Sequence, residues 1–480
     1  MPIGSPHRIV RHRLSIALLG FIVLTCLAAV AAADEPVAAS STVRGSAIAS
    51  GETFASPTAG LYAEAFSLPV DLAAGLSTSQ PGAALRLAAF PIAPDRRAAV
   101  DLAAIDLYAP GARIVVVEGN TERQVPRSAR RHFLGTVAGD PATRLGVSVD
   151  PATGTLRGWV EGPGGQFTLS PPTATDPTRH RITRSEVLDA EALGPHCGTE
   201  EIPLPNSLVD RLIRVGPTPA KIAGTPTHSA VIGIDTDMEL LDEKYNNDTT
   251  AATDDIADLF LQMNTAYEGD VSLRLLIGDT FLRPGSPPYD GDPWSVGGSG
   301  ASGAQLDEFG SHWAVNMGSV DRVFAILLSG KSSSSNSASG IAWVDGYCEF
   351  QSVGGGYSVN QIFTGPFSSA TLVAHEIGHN AGSPHTHCYS PEVDQCYNAQ
   401  SGCYAGPVSC PGGSPGTTMS YCNFGPPSGA ACGQNQLTFH PTVVALFDSF
   451  IASHSPGCVE LLQDALIFED GFESGSTSAW

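Results

Sequence analysis

Residues 371–388 read Thr371-Leu-Val-Ala-His375-Glu376-Ile-Gly-His379-Asn-Ala-Gly382-Ser-Pro-His385-Thr-His387-Cys388. His375 and His379 are four apart, so on a helix they project from one face about one turn from each other. Two imidazoles so placed fill two corners of a zinc tetrahedron, and Glu376 stands beside the open coordination position as a general base. Gly382 tolerates the left-handed backbone that a Cβ resists, which ends the helix and turns the chain back. His385 then supplies a third nitrogen. Three protein ligands and a water make a catalytic zinc arrangement, whereas structural sites fill all four positions with protein. Three His, one Glu and one Gly at fixed spacing arise by chance on the order of 10⁻⁵ times in a chain of this length. His387 lies two residues past His385 and competes with it for the third position; spacing favours His385.

Outward from this stretch, eight cysteines crowd the C-terminal half: Cys348, Cys388, Cys396, Cys403, Cys410, Cys422, Cys432 and Cys458. An even set suggests disulfides, but eight cysteines allow 105 pairings and the sequence does not choose among them. Cys26 sits in an N-terminal apolar run, Leu14 to Val30, which follows Arg8, Arg11 and Arg13 and ends at Ala31-Ala32-Ala33. That layout is a secretory signal peptide, and the disulfide framework fits an oxidising destination. Cys197 is left over.

The 480 residues predict two or three domains, and 52 Gly with 36 Pro predict many turns and long loops. The net charge of −23 excludes a nucleic-acid footprint, which needs clustered Lys and Arg. No second apolar run reaches membrane-spanning length, so the exported form is expected to be free of the membrane. A monomer is expected. Arg113–Val117, His132–Val137 and Arg144–Val149 read as strands, with a turn at Asp150–Gly154, and predict a β-rich N-terminal domain. Pro203–Thr227 reads as a link. Beyond it Ala230–Asp235, a helix over Thr253–Tyr267, Val271–Ile277 and Val323–Leu328 alternate in a way that predicts a largely parallel sheet. Pro441–Ala452 predicts a final packed helix.

The run His375 to His385 resembles the extended zinc signature of metzincins, and Thr417-Thr-Met419-Ser-Tyr421-Cys422 resembles their Met-turn. Within that clan, the His-Thr-His-Cys run from His385, the cysteine-rich stretch before Met419 and Ser339–Val344 resemble adamalysin/reprolysin-like proteases, bacterial members especially. The likeness spans roughly Thr227 to Cys458. It implies an α/β (α+β) catalytic domain with a mixed, largely parallel sheet and an active-site helix, holding one catalytic Zn2+. His375, His379 and His385 would be the ligands, Glu376 the base and Met419 the support beneath the metal. Substrates would be proteins or peptides, paired with a sheet edge.

A weaker resemblance, over Phe133–Val149, is to the prodomains of that group. Gly194-Pro-His-Cys197-Gly resembles their cysteine switch, in which a thiolate takes the open zinc position. The implied organisation is a leader over 1–33, a β-rich prodomain over 34–225, a catalytic domain over 226–460 and a tail over 461–480 in a secreted zymogen. Tyr421 departs from the adamalysin pattern and stands where astacins carry a tyrosine that reaches zinc. It is read as a fifth ligand, a transition-state donor or ordinary packing. Astacin-like and pappalysin-like proteases remain alternatives, as does a non-catalytic secreted zinc-binding or adhesion protein.

Overall fold

The computed structural model describes residues 52–55, 62–185, 197–201, 226–285, 292–297, 301–331, 338–362, 366–413 and 415–462. The leader, Gly194–His196 of the switch motif, nearly all of the link and all but the start of the tail lie outside them. Four disulfides settle the pairing left open by the sequence: Cys348–Cys458, Cys388–Cys403, Cys396–Cys422 and Cys410–Cys432. Among the described residues no helix is long and apolar enough to cross a membrane.

The N-terminal part contributes β1 (Glu52–Ala55), β2 (Tyr62–Phe66), α1 (Val70–Thr78), β3 (Ala84–Ala93) and β4 (Arg96–Ile105). After β5 (Ile114–Glu118) and β6 (Thr121–Val125) come β7 (Arg131–Val137), β8 (Asp140–Val149), β9 (Leu156–Gly162), β10 (Gly165–Ser170) and β11 (His180–Arg184). Nine of these strands form one antiparallel sheet, ordered β1-β2-β11-β10-β9-β8-β7-β4-β3. Alternate residues such as Phe133, Leu145, Val147 and Val160 bury one face, against which Leu72 and Leu76 of α1 pack.

The second part holds β12 (His228–Thr236), α2 (Thr249–Ala266), β13 (Leu273–Leu282), α3 (Gly303–Asn316), β14 (Phe324–Ser329), β15 (Gly340–Ala342) and β16 (Tyr357–Gln361). It ends with α4 (Pro366–Asn380), α5 (Pro441–His454) and β17 (Glu460–Leu461). This is a mixed α+β unit. β12 runs parallel to β13 and β14, and β14 parallel to β16, while β15 closes the edge antiparallel. The helix α2 begins four residues before the expected Thr253, because Asp248 accepts the backbone N–H groups of Thr250 and Ala251 as an N-cap. Past α2, Tyr267–Val271 widens into a π-turn, so the next strand starts at Leu273 and not Val271.

The hairpin β5–β6 lies in the stretch expected to build only the N-terminal domain, yet β5 pairs parallel with β13 and extends the second sheet. Its run of Ile and Val suits a strand buried on both faces. Further contacts join the two parts. Arg130 pairs with Asp254 and Asp258 of α2, and Arg144 with Asp270. Glu161 accepts the backbone N–H of Leu437 at 2.6 Å and Gln166 Nε2 at 3.1 Å.

Burial pushes the Glu161 carboxyl up to about 7; the bonds from Gln166 and Leu437 and the charge of Arg144 oppose this, and Asp270 adds to it. A folded value above the ordinary 4.5 gives stability that is full below about 4.5 and lost as pH rises through about 7. Urea unfolding of the whole chain from about pH 5 to about pH 8 is therefore expected to show a Glu161-dependent fall in stability. Glu161→Gln keeps an oxygen for Leu437 and should flatten that part of the slope. Equal slopes in parent and variant would contradict the assignment.

Candidate metal centre

The helix α4 carries His375, Glu376 and His379 on its buried face. Its C-terminal end is tied to the segment that follows β15 and to the start of β16. Asn380 Nδ2 donates to the carbonyls of Trp343 (2.9 Å) and Tyr357 (3.0 Å), and Asp345 N–H donates to the His379 carbonyl (3.0 Å). Gly382 then turns the chain at φ 95°, and a Cβ there would sit 2.4 Å from the Phe450 ring. Only glycine fits both conditions. The turn returns His385 to the face of α4.

The three Nε2 atoms converge: His379 Nε2 lies 3.1 Å from that of His375 and 3.1 Å from that of His385. Each Nδ1 has its own acceptor. His375 faces the Thr418 carbonyl at 2.6 Å, His379 the Ser383 carbonyl at 2.7 Å and His385 Gln400 Oε1 at 2.9 Å. Because Nδ1 carries the proton in each ring, all three Nε2 lone pairs point at one spot. Burial lowers all three pKa values, that of His375 to about 4, so the rings are neutral. Three lone pairs so close repel unless a cation lies between them. In a zinc tetrahedron with nitrogen bonds of about 2.0–2.1 Å, the nitrogens stand about 3.3 Å apart, so the donor set fits that ion.

Cys197 joins the three histidines: its Sγ and their ring nitrogens lie within 4.8 Å of one another. It is fully buried and unpaired by disulfide. The thiol donates to Glu376 Oε2 at 3.4 Å and accepts the Thr199 N–H at 3.4 Å. Its chain segment runs along the sheet edge. Cys197 bridges Gly340 in parallel, and Thr199 Oγ1 both accepts from Ala342 N–H (3.1 Å) and donates to the Ala342 carbonyl (3.2 Å). Burial pushes the Cys197 thiol up, and Glu376 adds to it; burial likewise pushes the Glu376 carboxyl up to about 8. Edge strand and base are in close approach, since a Cβ on Gly340 would fall 2.3 Å from Glu376 Oε1.

Met419 is fully buried beneath the histidines, and its carbonyl accepts Thr386 N–H at 3.1 Å. Tyr421 packs over His385, with ring centroids 4.1 Å apart, and its hydroxyl donates to the Cys197 carbonyl at 2.8 Å. His387, the competing histidine, instead donates Nε2–H to Gln400 Oε1 at 2.7 Å and does not join the convergent set. Several contributors had no sequence signal. Gln400 holds His385 from inside the Cys388–Cys403 loop. Tyr267 donates to the Ala374 carbonyl at 2.9 Å from the π-turn, and Asp394 Oδ2 accepts Ser420 Oγ at 2.7 Å in the Met-turn.

Residues 225–429 match the family model Reprolysin_5, Metallo-peptidase family M12. No curated protein matches the chain. Among the solved structures that match is a metalloproteinase-II from Bacteroides fragilis at 13% identity, with 66% of this chain and 86% of that chain covered and a TM-score of 0.36.

The platform has little slack where helix meets turn. A Cβ on Gly378 would lie 2.4 Å from Met419 Sδ. Gly378→Ala is expected to cost about 1–3 kcal/mol by overpacking, read as a lower urea midpoint of the whole chain. An unchanged midpoint would show that the Met-turn yields freely.

Proposed function

We propose that this chain, a zinc metalloendopeptidase whose residues 225–429 belong to metallopeptidase family M12, is made as a latent, exported precursor. In this reading His375, His379 and His385 hold the ion, Glu376 is the general base and Cys197 keeps the site closed. The observation that carries it is the convergence of three neutral Nε2 atoms, that of His379 3.1 Å from each of the other two, beside the buried Glu376 carboxyl and a thiol.

Bound zinc supplies Lewis acidity toward a scissile carbonyl and acidifies a water in the site. Glu376 takes the proton of that water and passes it to the leaving amine. The edge strand β15 offers backbone groups to an extended peptide, which gives affinity for any sequence and leaves selectivity to side-chain pockets. In the latent state Thr199 occupies the Ala342 groups of that edge, and Cys197 stands between Glu376 and the histidines.

Tyr421 has two roles in this reading. Its hydroxyl holds the Cys197 carbonyl in the precursor, and once the segment departs the same hydroxyl donates to a substrate carbonyl. Met419 supports the platform by packing and does not bind metal. Export is supported by the leader-like N-terminus and by four disulfides, which persist in oxidising compartments. The precursor segment ends in the link before residue 226, and the enzyme acts as a monomer.

Glu376→Ala should retain one zinc per chain while peptide cleavage by the processed form falls by about 10²–10⁴-fold. Cleavage that survives with zinc bound would remove Glu376 from the mechanism. Cys197→Ser should cleave a general protein substrate without prior processing, where the parent lags. A variant as latent as the parent would sink the switch.

A further inference from the structure

The hairpin β5–β6 belongs in sequence to the N-terminal part, but its hydrogen bonds belong to the catalytic sheet. The parallel register places Ile114 against Thr280, Val115 against Phe281 and Val116 against Leu282. Just before it, Ile277 N–H donates to the Leu107 carbonyl at 2.7 Å, and its carbonyl accepts Ala109 N–H at 2.9 Å. Thr280 N–H donates to the Arg113 carbonyl at 2.8 Å. From Ile277 to Leu282, the outer side of β13 is thus satisfied by residues 107–116.

Side chains follow the backbone. Ile105, Leu107, Tyr108, Ile114 and Val116 lie in the same buried cluster as Ile277, Val373, Ile377 and Met419, the packing under the metal-binding helix. On the opposite face Val115 packs in the cluster of Phe281 and Trp313. At the rim Arg113 clasps Asp279 through its backbone N–H (2.8 Å), Nε (3.1 Å) and Nη2 (2.6 Å). By contrast, the Cys197–Thr199 strap holds the site by one backbone bridge, the Thr199 pair with Ala342, the Tyr421 bond and the thiol.

We propose that the N-terminal domain is a lasting structural subunit of this enzyme. After the chain is cut in the link, it stays bound through β5 on β13, and activation needs only the strap to leave the metal centre. This rests on the peptidase reading only in assuming a cut. The physical reason is that departure of the domain would bare a buried strand edge and strip Ile105, Leu107, Tyr108, Ile114, Val116 and Trp159 from the apolar cluster beneath α4. Such an edge is a template for aggregation, and unmade buried backbone bonds are costly. The strap's departure bares only the short β15 edge at Gly340–Ala342, which is the one a peptide substrate would use.

The test uses the full chain with a site-specific protease sequence inserted within residues 203–225, in a Glu376→Ala background that prevents self-digestion. After cutting, native mass spectrometry and size-exclusion chromatography are expected to show one species containing both fragments. Hydrogen exchange should find the Ile277 and Thr280 amides, whose acceptors lie on the N-terminal fragment, as protected as before the cut. Separate elution of two folded fragments would overturn the proposal. So would co-elution in which those two amides exchange at the rate of surface amides. Neither readout involves turnover, so a failure of the peptidase reading would be seen separately in zinc content and Glu376-dependent cleavage.

Discussion

Three converging imidazole nitrogens, with His379 Nε2 3.1 Å from each of the other two, are the constraint around which the second half of the chain is arranged. Such a contact is unfavourable until a cation is shared, so the protein must fix each ring from behind. Each Nδ1 therefore finds an acceptor from a different piece of chain: the Met-turn at Thr418, the post-helix turn at Ser383 and the Cys388–Cys403 loop at Gln400. Each of these pieces is anchored in turn. Gly382 allows the turn, Asp394 fixes Ser420 in the Met-turn, and disulfides close the loop of Gln400 and tie Cys422, beside Tyr421, to Cys396. The cysteine-rich stretch is thus the outer frame of the metal site.

The same geometry brings one short segment onto the convergent nitrogens. Cys197 needs only to reach a spot where three nitrogens already converge, and the parallel strap along Gly340–Ala342 delivers it there. Glycine at 340 lets that edge lie against Glu376, so the Cys197 segment, the Glu376 carboxyl and the β15 edge share one narrow space. The N-terminal domain has a separate task. It completes the sheet at β13 and contributes to the core beneath α4, on the side of β12 away from the sheet edge that binds the strap.

Much of the site was legible because its chemistry is local in sequence. The four-residue spacing of His375 and His379, the glycine at 382 and the third histidine at 385 all lie within eleven residues, where helix geometry fixes the first pair and the glycine turn returns the third. Fold class followed from alternation of strand and helix after residue 226. What was not legible depends on contacts across long separations. Gln400 looks like any loop residue until the Cys388–Cys403 disulfide brings it to His385. The strand Ile114–Glu118 carries the right residues for a buried strand, but nothing in it says which sheet it joins. Tyr421 could not be resolved by sequence because its partner, the Cys197 carbonyl, is 224 residues away.

Zinc-edge X-ray absorption on the purified precursor addresses the shared site most directly. Three nitrogen neighbours at about 2.0–2.1 Å and one sulfur at about 2.3 Å are predicted, with the sulfur replaced by oxygen in the processed, active form. A precursor spectrum with no sulfur neighbour, or with more than one, would contradict the assignment of Cys197 and the three histidines to a single latent metal centre.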